Sequence, residues 1–378
     1  MNRDHTLDTL RGFFVLYMFS QHLLMGPFAA SGWISNYSFY PHGWAPTAAG
    51  FIMISGIVIG WGYSRLYQKK GYEALSRAAR VQAWKIYLTH MSTFLIVLVT
   101  AQFLPAMIAG DGGFTVMGEH PVRQGILAGM LLYQPTFYDI LPMYCLYLLM
   151  TPWVLRSFHE RGPALALGIS AALWFSMQVG GFYLFGVILE NVEGSNLGLF
   201  NPLAWQAIFV VGLYLGYKRL DPKGFLKAIP PKVFAPALGL AIVVVLAGLA
   251  TRWEWFGPIP QWLATELRWK TIFPPVFVIN FAAFCFVLAV IAGRFPNAFS
   301  WRPLRFVGKH PLICFAFHLV IVMLLQSVEG WIDALSEPRR LLLMAAVITT
   351  IAFPATAEEW WQQRRARPAV PPAGQAAA

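Results

Sequence analysis

The apolar positions of this chain come in runs too long for a soluble fold. About twenty helical residues cross the hydrocarbon core of a bilayer. Runs of that length recur at roughly 9–29, 46–66, 81–104, 138–156, 163–187, 202–218, 233–251, 272–293, 310–328 and 340–357. The pattern predicts an all-α polytopic membrane protein, with about ten transmembrane helices in one bundle. An eleventh stretch, 123–134, is short for a crossing and is expected to be interfacial or re-entrant. Residues 1–360 form the membrane domain in this reading, and 361–378 a disordered cytoplasmic tail rich in Arg, Pro and Ala. The first run is too long for a signal-peptide core and is read as a retained first helix.

Composition agrees with the pattern: the chain is 57% hydrophobic and only 12% charged. Cys145, Cys285 and Cys314 fall within apolar runs, with no CxxC pair or zinc spacing, and read as reduced buried residues. A net charge of +11 raises nucleic acid as a partner, but the basic residues are not gathered for that. They cluster between apolar spans, where they report topology. With ten crossings and the N-terminus inside, 21 Lys and Arg face the cytoplasm and 6 face outward, Arg11 aside. Counting 123–134 as a crossing would put the three later basic clusters outside. The charges therefore predict both termini in the cytoplasm and the bilayer as the principal partner, with no nucleic acid. No internal repeat is evident, which weighs against a transporter built from two halves.

The first helix, LDTLRGFFVLYMFSQHLL from Leu7 to Leu24, carries polar groups that lipid penalises. Arg11 and His22 are eleven residues apart, about 1100° of rotation and ~16 Å of rise, so they share one face. Asp8 and Arg11 are i,i+3 neighbours and can pair. His22 is either a polar residue satisfied by another helix or a general base, the role for which neutral imidazole is best matched near neutral pH. Arg77, Arg80 and Lys85 are either an ordinary cytoplasmic basic segment or an anion site; guanidinium forks suit the phosphates of a donor such as coenzyme A. In the second helix, Ser55 and Gly56 with Gly60 and Gly62 make a small-residue strip. Close helix packing is its first reading, and room for a narrow acyl or pantetheine chain its second. His310 stands at a helix start, and His318, two turns further in, suits a polar partner in the core. Asp139 begins a helix at the outer face, where a carboxylate favours the N-terminus. Alternatively it faces an acceptor sugar, beside Trp205, Gln206 and aromatics that stack on carbohydrate. No metal-ligand spacing, nucleophile elbow, Walker loop or dinucleotide fingerprint is present.

These residues carry a resemblance. Leu7-Asp8-Thr9-Leu10-Arg11-Gly12 with His22 resembles the opening signature of the integral-membrane acyltransferase (type 3) family. Phe51, Ser55 and Gly56 resemble its second-helix motif, and Arg77-x-x-Arg80 its R-x-x-R motif. Phe317-His318 resembles its late aromatic-L-x-H motif, with Ala316-Phe317 standing where the family has Tyr-Leu. The stretches AWKIYLTHM, YDILPMYCLY, PLAWQAIFVVGLYLGY and GKHPLICFAFH are similar to the OpgC branch, over about residues 4–330. The branch is associated with succinyl substitution of osmoregulated periplasmic glucans at the inner membrane.

The resemblance implies an acyl-CoA-dependent O-acyltransferase that moves an acyl group, expected to be succinyl, from cytoplasmic acyl-CoA to glucan hydroxyls. His22, Asp8 and Arg11 would form the catalytic group. Arg77, Arg80, Lys85 and Ser55 would bind the donor, with Asp139, Trp205, Gln206 and His318 supporting the acceptor side. No bound cofactor or metal is expected; succinyl-CoA enters as substrate, and enzymes of glucan synthesis are candidate partners. The alternatives are O-acetyl transfer to another envelope polysaccharide, and a non-enzymatic glycan transporter using Arg11, His22 and Asp139 as pathway charges.

Overall fold

The computed structural model describes residues 5–31, 47–103, 117–218, 227, 229–253, 255–258, 260–261, 270–295 and 300–366. Helices dominate it: α1 (His5–Met25), α2 (Thr47–Phe103), α3 (Pro121–Gly129), α4 (Ile140–Glu160), α5 (Pro163–Ser176) and α6 (Phe182–Glu190). They continue as α7 (Pro202–Lys218), α8 (Pro231–Arg252), α9 (Pro275–Arg294), α10 (Arg302–Lys309) and α11 (Pro311–Gln326). Short α12 (Glu329–Asp333), α13 (Glu337–Thr349) and α14 (Ala352–Ala366) complete the chain. No β-strand forms among the described residues; a single parallel bridge joins Tyr133 to Asn196.

Five described helical stretches are long and apolar enough to cross a membrane: Thr47–Phe103, Pro163–Leu184, Pro231–Thr251, Pro275–Arg294 and Glu337–Arg364. A sixth follows if α10 and α11, which meet at 91°, are one broken span. The chain is thus an all-helical protein with several membrane-type helices. The stretch 123–134 overlaps only the nine-residue α3 (Pro121–Gly129), about 13 Å long and well short of a bilayer. The tail beyond Ala366 lies outside the described residues, and α14 occupies 352–366, so Arg364 is helical.

α2 departs most from the expected layout of two helices joined by a loop. It runs 57 residues without a loop, broken only at Gly71, whose φ of 76° and ψ of −176° belong to glycine. The break reverses the chain: the Tyr63 hydroxyl donates to the Ala78 carbonyl at 3.3 Å, whereas fifteen residues of straight helix would span ~22 Å. α2 is a helical hairpin, with arms 47–70 and 72–103. It is the hub of the bundle, with α1, α4, α7 and α11 packed around it, while α8 and α9 pair with each other.

Glycines set the closest approaches. A Cβ on Gly56 would lie 2.6 Å from the Phe209 carbonyl oxygen, and one on Gly212 2.5 Å from that of Met53; Gly60 and Gly216 are equally close to the facing backbones. Two small-x-x-x-small strips therefore interlock, as membrane helices do in the absence of a hydrophobic drive between them. This corrects the second reading of the Gly56–Gly60 strip, because α7 fills the space that an acyl chain would need. Buried polar groups mark the other seams. Ser170 Oγ donates to Gln206 Oε1 at 2.7 Å, and Tyr147 to the Pro202 carbonyl at 2.9 Å.

Candidate functional site

α1 and α11 face each other through two imidazoles. His22 Nδ1 and His318 Nε2 are 3.0 Å apart, across 296 residues of sequence. His318 is fully buried, with Phe315 edge-on at 4.7 Å and Phe19 at 5.5 Å. Its Nδ1 is also buried and faces the carbonyls of Cys314 and Phe315 in its own preceding turn, with no hydrogen bond of full geometry. One imidazole donates and the other accepts; with the proton of His318 on Nδ1, its Nε2 accepts from His22 Nδ1–H and the lone pair of His22 falls on Nε2, away from the pair. His22 itself is only partly buried. Such a pair can present one imidazole as a base oriented by the other, the logic of activated nucleophile sites.

The other face of His22 is covered by Phe137, stacked at 3.9 Å and 18°. Phe137 has φ of 72°, costly for a side chain other than glycine, and Leu131 in the same loop has φ of 61°. The loop is held on both sides of the strain. Gln134 N donates to Asn196 O at 2.7 Å, and Asn196 N to Leu132 O at 2.8 Å. Asp139 precedes α4 but makes no side-chain cap there; its Oδ2 accepts from Leu199 N at 2.8 Å. It therefore clamps the 192–201 segment beside the Phe137 loop.

Asp8 is buried and Arg11 partly so, at the entrance of α1. The Tyr144 hydroxyl interacts with Ser55, donates to the Phe51 carbonyl at 3.3 Å, and lies within electrostatic reach of Arg11. Ser55 and Tyr144 thus meet between α2 and α4, with Arg11 of α1 within electrostatic reach. An aromatic ladder joins this cluster to the imidazoles: Tyr144 to Phe51 at 5.8 Å, Phe51 to Phe315 at 6.0 Å, then Phe315 to His318.

The remaining expected residues are elsewhere. Arg77 and Arg80 are exposed on the second arm of α2. Lys85 Nζ stands 3.8 Å from Glu358 Oε1, and Glu358 Oε2 is 3.2 Å from His310 Nδ1, which ties α14 to the α10–α11 bend. Trp205 is fully buried and donates Nε1–H to the carbonyls of Lys270 and Thr271, so neither ring face is open to a sugar. Gln206 is satisfied by Ser170. These internal partners correct the expectation that Trp205 and Gln206 line an acceptor site.

A family model described as OpgC protein matches residues 3–363. The chain belongs to the OpgC family. The match covers α1 through most of α14, so both imidazoles, the Tyr144 cluster and the Arg77–Lys85 segment lie within it. OpgC membership points to a membrane acyltransferase that modifies glucans. No curated protein and no solved structure gives a significant match.

Sequence reasoning missed Phe137, Tyr144 and Glu358. Tyr144 lies within the YDILPMYCLY stretch quoted above and Phe137 immediately precedes it, and their closeness to Asp139 was the available signal.

Proposed function

We propose that the protein is an OpgC-type member of the integral-membrane (type 3) acyltransferases, transferring an acyl group from cytoplasmic acyl-CoA to hydroxyls of periplasmic glucans. Succinyl-CoA is the donor in this reading. The protein crosses the bacterial inner membrane ten times, with both termini in the cytoplasm. Each expected crossing coincides with helix when the two arms of α2 are counted separately and α13 with α14 is counted once, and the positive charges favour this orientation.

The hydrogen bond between His22 and His318 carries the proposal. His318 holds His22 in the tautomer whose Nε2 removes the proton from a glucan hydroxyl. The resulting oxygen bonds to the thioester carbonyl carbon, and the C–S bond breaks. The proton on His22 passes to the departing thiolate, returning the dyad to its starting state. A positioned base of this kind contributes about 10²- to 10⁴-fold. Arg77, Arg80 and Lys85 hold the donor phosphates, as cations on one helix arm suit an extended anion. Arg11, within electrostatic reach of Tyr144 at the entrance of α1 and about 16 Å of rise from His22, holds the donor at a point away from the reacting carbonyl. Asp8 fixes the entrance of α1, and Asp139 supports the acceptor side by holding the Phe137 loop. Trp205 and Gln206 act in packing alone.

The test is His22→Ala in cells lacking the native gene, followed by mass analysis of periplasmic glucans. Loss of the succinyl increment with normal membrane levels of the variant is expected; succinylated glucans at wild-type level would overturn the assignment. A different lost increment would retain the chemistry and replace the acyl group.

A further inference from the structure

A cavity of about 500 Å³ lies between α4, α5 and α7, lined by helices other than α1 and α11, which carry the imidazoles. Its walls are apolar: Trp153, Leu165, Ile169 and Leu173 line it and are exposed, Trp153 at 64% and Ile169 at 55%. The polar groups that also line it, Ser170 and Gln206, satisfy each other and ask nothing of a ligand.

Other lining residues are charged. Arg156, Ser157, Glu160 and Arg161 line the groove from the C-terminal end of α4. Glu160 is engaged by Arg156 at 2.9 Å and by the Tyr67 hydroxyl at 2.9 Å. That leaves Arg161, which acts on Glu160 only at longer range and makes no ion pair among the described residues, as the second cation of a mouth with one carboxylate. Ser157 Oγ is buried without a hydrogen-bond partner, an unusual state for a hydroxyl that could bond back to its own helix. A cation and an orphan hydroxyl thus line the same groove as the exposed apolar side chains.

We propose that this groove seats one anionic phospholipid, its phosphodiester on Arg161 and Ser157 and one acyl chain along Trp153, Ile169 and Leu173. Charge complementarity selects the headgroup: a net positive mouth attracts an anionic lipid, while a zwitterionic lipid brings its own cation against Arg161. The volume falls within the range of small-ligand sites, enough for one chain and too little for a whole lipid.

Native mass spectrometry of the full-length protein in detergent, titrated with phosphatidylglycerol or phosphatidylcholine, tests this. One retained phosphatidylglycerol per chain is expected, with phosphatidylcholine stripped under the same activation. Arg161→Gln should weaken retention about tenfold or more, the size of a lost charge-assisted hydrogen bond. Ile169→Trp, which fills the slot without touching the charges, should also abolish it. Equal retention of the two lipids, unchanged retention in both variants, or displacement by inorganic phosphate alone would overturn the proposal. An unchanged unfolding midpoint for each variant separates lost binding from lost fold.

Discussion

Gly12 and Gly308 stand back to back. A Cβ on Gly12 would overlap the carbonyl oxygen of Leu304, and a Cβ on Gly308 would overlap that of Asp8. The entrance of α1 and the end of α10 are therefore in backbone contact. The bend at His310, where Pro311 removes a helical N–H, then sends α11 alongside α1 so that His318 can meet His22.

Gly308→Ala should cost about 3 kcal/mol or more, since backbone cannot yield as a side chain can. Gly62→Ala, with nothing within 4 Å of its added carbon, should change stability by no more than about 1 kcal/mol. Unfolding of both variants in detergent checks the contrast, and equal losses would refute it.

His318 variants should separate orientation from chemistry. His318→Ala removes the acceptor for His22 Nδ1–H and should lower kcat by about 10²-fold or more, with KM for the donor little changed. His318→Gln, whose Oε1 can accept the same bond, should recover part of that loss. Initial rates of acyl incorporation in proteoliposomes would show it. An equal deficit in the two variants would mean that His318 does more than orient.

The strain at Phe137 predicts an order of stabilities. Phe137→Gly and Phe137→Ala both remove the ring from His22, so both should slow transfer. Glycine also relieves the left-handed backbone, so Phe137→Gly should be the more stable by roughly 1 kcal/mol. Matched thermal unfolding decides this; alanine proving the more stable would sink it.

Glu160 supplies a pH dependence at the end of α4. Arg156, and then the Tyr67 hydroxyl, hold its carboxyl below the ordinary value of 4.5. A depressed carboxylate stabilises the fold fully above its unfolded value and loses that contribution as pH falls through its folded value. The contact between Tyr67 and α4 should therefore loosen only below about pH 4.5, an effect absent in Glu160→Gln. Amide exchange near residue 67 across that range would measure it, and identical pH profiles would contradict it.

The Lys85–Glu358–His310 link predicts a change in thiol accessibility. Cys314 is fully buried and its thiol contacts the Ile351 carbonyl at 3.7 Å, just before α14. Glu358→Ala should speed maleimide labelling of Cys314 while leaving Cys145 and Cys285 at their wild-type rates. Unaltered labelling of Cys314 would show that α14 is held by other contacts.

The helices were legible because lipid imposes length and apolarity on each crossing independently, so a local window suffices. His22 was legible for the related reason that an imidazole in an apolar run needs a purpose. His318 was legible too, as a residue suited to a polar partner in the core, but nothing near Leu319 or Phe317 announces that the partner is His22. Pairing across 296 residues depends on the Gly12–Gly308 contact and the 91° bend, neither of which has a local periodicity. Trp205 misled for a physical reason: an aromatic amphiphile serves a sugar or a buried carbonyl equally well, and only the position of Thr271 decides. The α2 hairpin escaped notice because a single glycine did the work of a loop.

That hairpin also makes the second arm of α2 a ruler. Arg80 and His90 stand on one unbroken rod, about 15 Å apart in rise, and His90 packs against Tyr138, the neighbour of Phe137. Adding a single residue between them would turn the two ends through about 100° relative to each other. The chain can therefore tolerate changes of length at the reversal, before residue 72, but not along the rod, and natural insertions and deletions should observe that boundary.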